Sequence, residues 1–287
     1  MKIIYVELFF HNSVLEHIKL NIIRKYKNSY YYDCVFKVNY QNEFLQDILS
    51  NLIQKANLEK NDLLINYIYD NISFIKLSLP KMANMELYKN VDTELNNLVS
   101  NYKEKYALTI DKIISQKTNL FRAILYPKKE SLLELDKNSL KEQKITKYKE
   151  INHYQIIETI MRSYKYKSNI TYSIVTFYEN SIHVYILRNS YVIELFIIDI
   201  KKELIEQYNL SYKYDEIINV NNQYFKSICI FLNQFFENRN VEGAILIFDD
   251  LYNEYLRKLI DQDIVINHVI NNFEVILKAI EVVFYEK

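Results

Sequence analysis

Glycine is nearly absent from this chain. Gly243 stands alone among 287 residues, where a usual frequency of ~7 % would give about twenty. A P-loop, a dinucleotide-binding Gly-rich turn and a nucleophile elbow each need glycines where the backbone takes φ > 0 or touches a phosphate. None of them can be built here. Excess charge of one sign is lacking too: 36 basic side chains face 36 acidic ones, which argues against long-range attraction to nucleic acid or anionic lipid. No apolar run approaches the ~18 residues of a membrane span. An acid at Glu7 comes too early for a secretory signal, so a cytoplasmic location is expected. The two cysteines, Cys34 and Cys229, lie far apart without metal spacing and read as plain buried thiols of a reducing compartment.

What the chain does have is a rich apolar content, 49 %, enough for a large core. Ile, Asn, Lys and Tyr are heavily used, as in AT-rich genomes. Asn is expected to take over the turns, since after Gly it best tolerates the left-handed region. Residues 2–10, 13–23 and 30–38 are apolar or alternating and separated by short polar turns, the signature of an antiparallel meander. A helix is predicted over 41–56 from Phe44, Leu45, Ile48, Leu52 and Ile53, and a strand over 62–68. The second half repeats the plan. Strands are predicted at 171–178, 181–188 and 191–199, helices at 201–208 and 215–237, a strand at 243–248, a helix at 251–260, a short strand at 263–267 and a closing helix at 271–284.

The order strand-strand-strand-helix-strand therefore occurs twice, which predicts two similar α/β lobes with mixed sheets and a cleft between them. Between them residues 71–136 read as a small βαββα module: a strand at 72–79 ending at Pro80, a helix from Met85 to Tyr102, strands at 107–115 and 119–126 ending at Pro127, and a helix at 129–136. Both prolines stand at element ends, where a missing N–H does least harm. The Lys-rich run 137–149 reads as a connector, and 152–164 as a helix.

Four strings in this order carry a resemblance: ISFIKLSLPKMANMELYKNVDTE (72–94), LFRAILYPKKESLLEL (120–135), SIVTFYENSIHVYILRNSYVIEL (173–195) and GAILIFDDLYNEYLRKLI (243–260). The chain resembles the PilM family of type IV pilus assembly proteins, which share the actin-like ATPase fold with the cell-division protein FtsA and with the cytoplasmic domain of the type II secretion protein GspL. The resemblance implies an actin-like (ribonuclease H-like) two-lobed α/β fold. Its first lobe would comprise 1–70 with 145–168. Residues 71–144 would form the inserted subdomain and connector, and 169–287 the second lobe.

The resemblance also implies a nucleotide pocket, from which this sequence departs. The family's Asp-x-Gly at the first hairpin matches Glu7-Leu8-Phe9; at the second it matches Thr176-Phe177-Tyr178. The family's threonine a few residues later falls at Ile182, and its Gly-Gly at Asp249-Asp250. Phe9 and Tyr178 would block close phosphate approach, and paired carboxylates would repel polyphosphate unless a metal intervened. Degenerate pocket positions are therefore expected at Glu7, Phe9, Thr176, Tyr178, Ile182, Asp249 and Asp250, with no catalytic residue, cofactor or metal.

Blander readings stand beside these. Asp249-Asp250 could ligate a metal, but they follow an apolar strand and precede a helix, so Asp250 reads better as a helix N-cap. His11, His17, His153, His183 and His268 show no ligand spacing and read as packing residues. Tyr30, Tyr31 and Tyr32 could stack on bases but suit packing better in a Tyr-rich chain. Lys19, Arg24, Lys25 and Lys27, and again Lys137, Lys141, Lys144, Lys147 and Lys149, read as solvated strand ends and connector.

In the family, a groove beside the insert accepts a peptide from the cytoplasmic tail of a bitopic membrane partner. The resemblance places it at Leu79, Pro80 and Met82, which read equally as a plain domain junction. The expectation is a non-catalytic scaffold of a type IV pilus or type II secretion inner-membrane assembly, without nucleic acid and reaching the membrane through its partner. A secretion motor ATPase and further copies of the chain are additional partners it implies. Two alternatives stand: an active ATPase with a reshaped pocket, and an unrelated cytoplasmic interaction protein.

Overall fold

A computed structural model describes residues 2–27, 29–41, 43–55, 61–79, 84–113, 120–129, 133–142, 144–164, 170–178, 181–199, 232, 234–248 and 266–284. The predicted helices at 201–208 and 251–260, and most of that at 215–237, lie outside these residues. The chain divides into two units, 1–155 and 156–287, and the division falls within the helix that follows the eighth strand.

In the first unit, β1 (Lys2–His11) is buried on both faces from Ile3 to Leu8, as an unbroken apolar run requires of a central strand. It pairs antiparallel with β2 (Val14–Tyr26) through a two-residue turn. Asn12 and Ser13 both take left-handed φ, 50° and 70°. This is the turn whose twist matches a hairpin, and it normally asks for glycine. β3 (Ser29–Asn39) pairs antiparallel with β2. α1 (Leu45–Lys55) crosses over to β4 (Asn61–Tyr69), which lies parallel to β1. Leu45, Ile48, Leu49, Leu52 and Ile53 of α1 bury against Ile4, Val6, Leu8 and Phe10 of β1 and Leu63, Ile65 and Tyr67 of β4.

Next comes the insert, a three-stranded antiparallel sheet in the order β5 (Ser73–Ser78), β7 (Leu120–Pro127), β6 (Tyr106–Ile113). α2 (Asn84–Leu98) sets Val91 and Leu95 onto it. The predicted single helix to Tyr102 is broken: Asn101 takes φ 56°, and a separate turn, α3 (Tyr102–Lys105), follows. The predicted helix at 129–136 is not present at 133–136; the helix is α4 (Lys137–Glu142). The connector reading of 137–149 is thus corrected. After α4 comes β8 (Ile145–Asn152), the fifth strand of the first sheet, parallel to β4. It was hidden because this edge strand carries few apolar residues; only Ile145 and Ile151 are buried in the stretch.

The first sheet thus has the order β3-β2-β1-β4-β8. α5 (His153–Ser163) leads into the second unit, whose sheet has the order β11-β10-β9-β12-β13. Its members are β9 (Thr171–Phe177), β10 (Ser181–Arg188), β11 (Tyr191–Asp199), β12 (Gly243–Phe248) and β13 (Ile266–Asn271). The pairings repeat those of the first sheet: antiparallel, antiparallel, parallel, parallel. Asn189 and Ser190 form the β10–β11 turn at φ 53° and 63°, repeating the Asn-Ser solution of residues 12–13. The lone Gly243 serves no turn; it opens β12 opposite Tyr172. β13 extends beyond the predicted 263–267, and α6 (Asn272–Phe284) starts where Asn271 Oδ1 accepts the Glu274 amide at 2.8 Å, an N-cap.

Candidate functional site

Two hairpins carry the positions that sequence reasoning matched to phosphate-binding loops, one in each unit.

In the first, the side chains of β1 alternate. Ile4, Val6, Leu8 and Phe10 face α1, so Tyr5, Glu7 and Phe9 face the other way. Glu7 is 1 % exposed, and Asn21 Nδ2 donates to its Oε2 at 3.2 Å. Burial, reinforced by the Glu7 carboxylate, holds the Tyr5 phenol well above its ordinary pKa, so Tyr5 keeps its proton. Beside them Asn66 Nδ2 lies 3.0 Å from His153 Nδ1. Burial alone pushes His153 down to about 3. A neutral imidazole can accept this amide proton at Nδ1, which puts its own hydrogen on Nε2.

Phe9 stacks on its cross-strand partner His17, with ring centroids 4.2 Å apart and planes 18° from parallel. Burial, then Lys37 and Lys19, lower His17 to about 4. The turn itself is tied down from β4. The Asn12 amide donates to Asp70 Oδ2 at 2.9 Å, and His11 Nδ1 lies 2.9 Å from the same oxygen. Asn71 Nδ2 donates to Ser13 Oγ. A carboxylate of the chain itself therefore occupies the amide at the hairpin tip.

At the second hairpin the Tyr178 amide donates to Ser181 O at 2.8 Å. Thr176 lies opposite His183 and is buried, its hydroxyl without a hydrogen-bond partner among the described residues. Tyr178 meets His183 edge-on at 4.8 Å, and Tyr185 Oη lies 3.5 Å from His183 Nδ1. Burial raises the Tyr185 phenol. Ile182 sits on the opposite face, fully buried with Val175, Phe177, Val184 and Leu232. The structure therefore gathers Thr176 and Tyr178 around His183, and it sends Ile182 into the core. Asp249, Asp250, Pro80, Met82, Cys229 and the side chain of Cys34 lie outside the described residues. Leu79 packs on the core of the insert, against the cluster of Leu77, Val91, Leu95 and Phe121.

Sequence reasoning missed Asp70, Asn21, Asn66 and the role of His153. Asp70-Asn71 carried a usable signal: a polar pair closing a strand whose nine residues are all buried. The polar residues inside strands gave none, because their partners are set by register. Among the described residues no group of three or more His, Cys, Asp or Glu is suited to a metal, and no helix is long and apolar enough to cross a membrane.

No family model matches this chain, and no curated protein matches it by sequence. Solved structures do match in fold. One is a PilM–PilN type IV pilus biogenesis complex, with TM-score 0.61 and 10 % identity, covering 94 % of this chain and 89 % of that one. The cytoplasmic domain of EpsL, an inner-membrane component of the Vibrio cholerae type II secretion system, superposes at 0.48 with 8 % identity over 86 % of this chain and 82 % of its own. A Bacteroides thetaiotaomicron protein of actin-like ATPase fold and unknown function superposes at 0.47 with 9 % identity, over 96 % and 95 %. The fold is actin-like, as the duplicated sheet order and the first of these likenesses show.

Proposed function

We propose that this actin-like chain is a non-catalytic scaffold of a type IV pilus or type II secretion assembly, which captures a short segment of a membrane partner. The observation that carries the first half is the hairpin of residues 9–14. A phosphate loop must offer free amides beside small residues. Here Asp70 takes the Asn12 amide and Phe9 covers the strand by stacking on His17. At the second hairpin Tyr178 stands against His183, and Ile182 is part of the core. Both hairpins are engaged in contacts within the chain.

The partner follows from likeness alone. The fold matches a protein solved with PilN in a pilus biogenesis complex, and a peptide groove needs apolar pockets and edge-strand backbone rather than glycine or metal. Leu79, Pro80 and Met82 remain the proposed contact turn.

The test is the melting temperature with and without Mg-ATP, ADP and a non-hydrolysable analogue. A ligand of the folded state at 100 times its Kd adds ~2.7 kcal/mol. No shift with any of them is expected. A reproducible magnesium-dependent shift would sink the proposal and make Glu7, Asp249 and Asp250 the residues to mutate. Titration of the purified chain with a synthetic partner tail then tests the scaffold role: saturable binding that Leu79→Asp weakens is expected, and failure of every candidate tail would overturn it.

A further inference from the structure

The two lysine clusters of the sequence lie about 120 residues apart, yet strand register brings Arg24, Lys25 and Lys27 of one and Lys141, Lys144 and Lys147 of the other to one end of the first sheet. Lys2 opens β1 and pairs with Arg24 on one side and Asn61 on the other. Asn61 pairs in turn with Ile145, and its amide donates to Lys144 O at 3.1 Å. Arg24 pairs with Tyr31, and Lys25 with Tyr30. One row therefore runs Tyr31, Arg24, Lys2, Asn61, Ile145 across five strands, roughly 19 Å at ~4.8 Å per strand. Around it stand Lys25 and Lys27 from the β2–β3 turn, and Lys141, Lys144 and Lys147 from α4 and the start of β8. Lys19 is not among them; it lies mid-sheet, opposite Glu7.

Among the described side chains, positive charge outnumbers negative there. Arg24, Lys27, Lys141, Lys144 and Lys147 are exposed, and Glu142 is the exposed carboxylate that the described side chains add beside them. Asp62 is buried and accepts from Thr146. Tyr26 is 63 % and Tyr31 55 % exposed, with Lys27 over the Tyr26 ring at 5.7 Å and Lys25 over Tyr30 at 5.1 Å. This end is a sheet's length from the hairpin of residues 9–14, about 30 Å along β1.

We propose that this end of the first sheet docks on the surface of an anionic lipid bilayer. Lysine and arginine near such a surface are each attracted to it, and tyrosine favours the headgroup level, where its ring is apolar and its hydroxyl wet. The neutral net charge of the chain does not oppose this, because at physiological salt a charge acts over about 8 Å and a surface senses the local patch. A bilayer is favoured over single-stranded nucleic acid, which asks for a basic groove tracking one backbone; here the charges spread along the ends of five strands. The inference goes beyond the scaffold reading and needs no partner protein.

The experiment is co-sedimentation of the full chain with vesicles of one part phosphatidylglycerol to two parts phosphatidylcholine, and with pure phosphatidylcholine. Binding to the anionic vesicles alone, lost as salt rises from ~0.05 to ~0.5 M, is expected. Arg24→Glu with Lys27→Glu, and separately Lys141→Glu with Lys144→Glu, should each weaken it by about twenty-fivefold or more, at about fivefold per charge removed. Unchanged melting temperatures confirm that these exposed variants fold. Tyr26→Ala with Tyr31→Ala should weaken binding while keeping its salt dependence. Three results would overturn the proposal: no binding to anionic vesicles, loss of binding in one cluster's variant only, or tighter binding of the same surface to an oligothymidylate.

Discussion

The amide of Asn12 donates to the carboxylate of Asp70 across 58 residues of sequence, at 2.9 Å. This contact joins the tip of the first hairpin to the end of the neighbouring parallel strand. The carboxylate is 11 % exposed and also lies 2.9 Å from His11 Nδ1, so one side chain just beyond β4 holds two residues of the hairpin. Asp70→Ala should lower stability by about 1–3 kcal/mol, the range for losing charge-assisted hydrogen bonds. Urea unfolding checks it. A variant as stable as the parent would mean that the hairpin is held by its turn alone.

His153 makes stability depend on pH. Its pKa falls from 6.5 unfolded to about 3 folded, so the unfolded chain binds the extra proton between these values. The stabilisation is complete above about pH 6.5 and is lost as pH falls toward about 3. Between pH 7 and pH 5 it amounts to about 2 kcal/mol. His17, lowered to about 4, acts in the same direction. His153→Gln keeps an acceptor for Asn66 and removes the titration. Urea midpoints at the two pH values should therefore differ less in the variant, and an unchanged difference would locate the effect elsewhere.

Arg122 fastens the insert to the rest of the first unit. It is 2 % exposed, pairs with Asp111 Oδ2 at 2.6 Å, and lies 5.7 Å from the ring centroids of Phe74 and of Tyr154 on α5. Arg122→Ala should cost about 1–3 kcal/mol, the range for losing a hydrogen bond to a charged group, since Asp111 is 36 % exposed and can turn to water. Arg122→Lys should restore little of it, since a point charge neither stacks nor forks. Full rescue by lysine in a thermal melt would contradict the stacking role.

Ile182 is a core residue, packed with Val175, Phe177, Val184 and Leu232. Ile182→Thr loses packed methylene volume and buries a hydroxyl, at about 2–3 kcal/mol. Denaturant unfolding should show this loss. A near-neutral result would mean that the site is wetter than its packing implies.

How much of this was legible in the sequence varies with the range of the interaction. The meanders of residues 2–38 and 171–199 were readable because alternation and turn residues are local signals. The same holds for the Asn-Ser turns, where the scarcity of glycine pointed to asparagine. β8 was not readable. With Lys147, Lys149 and Glu150 all exposed, its pattern resembles a connector, and only pairing with β4 makes it a strand. The break of α2 before Asn101 was equally hidden, since the stripe of apolar residues continues to Tyr102 across a left-handed residue.

By itself the sequence determined the two antiparallel meanders and the duplicated plan built on them, because these rest on local alternation and on turn residues. Tertiary structure alone decided which residues meet. It carried Asp70 to Asn12, aligned Lys2, Arg24 and Lys144 at one end of a sheet, and buried Arg122 between Phe74 and Tyr154. Strand register sets these meetings. Register depends on the whole buried face, since a slip of one residue turns every side chain to the other side, and so no short stretch of sequence can specify it.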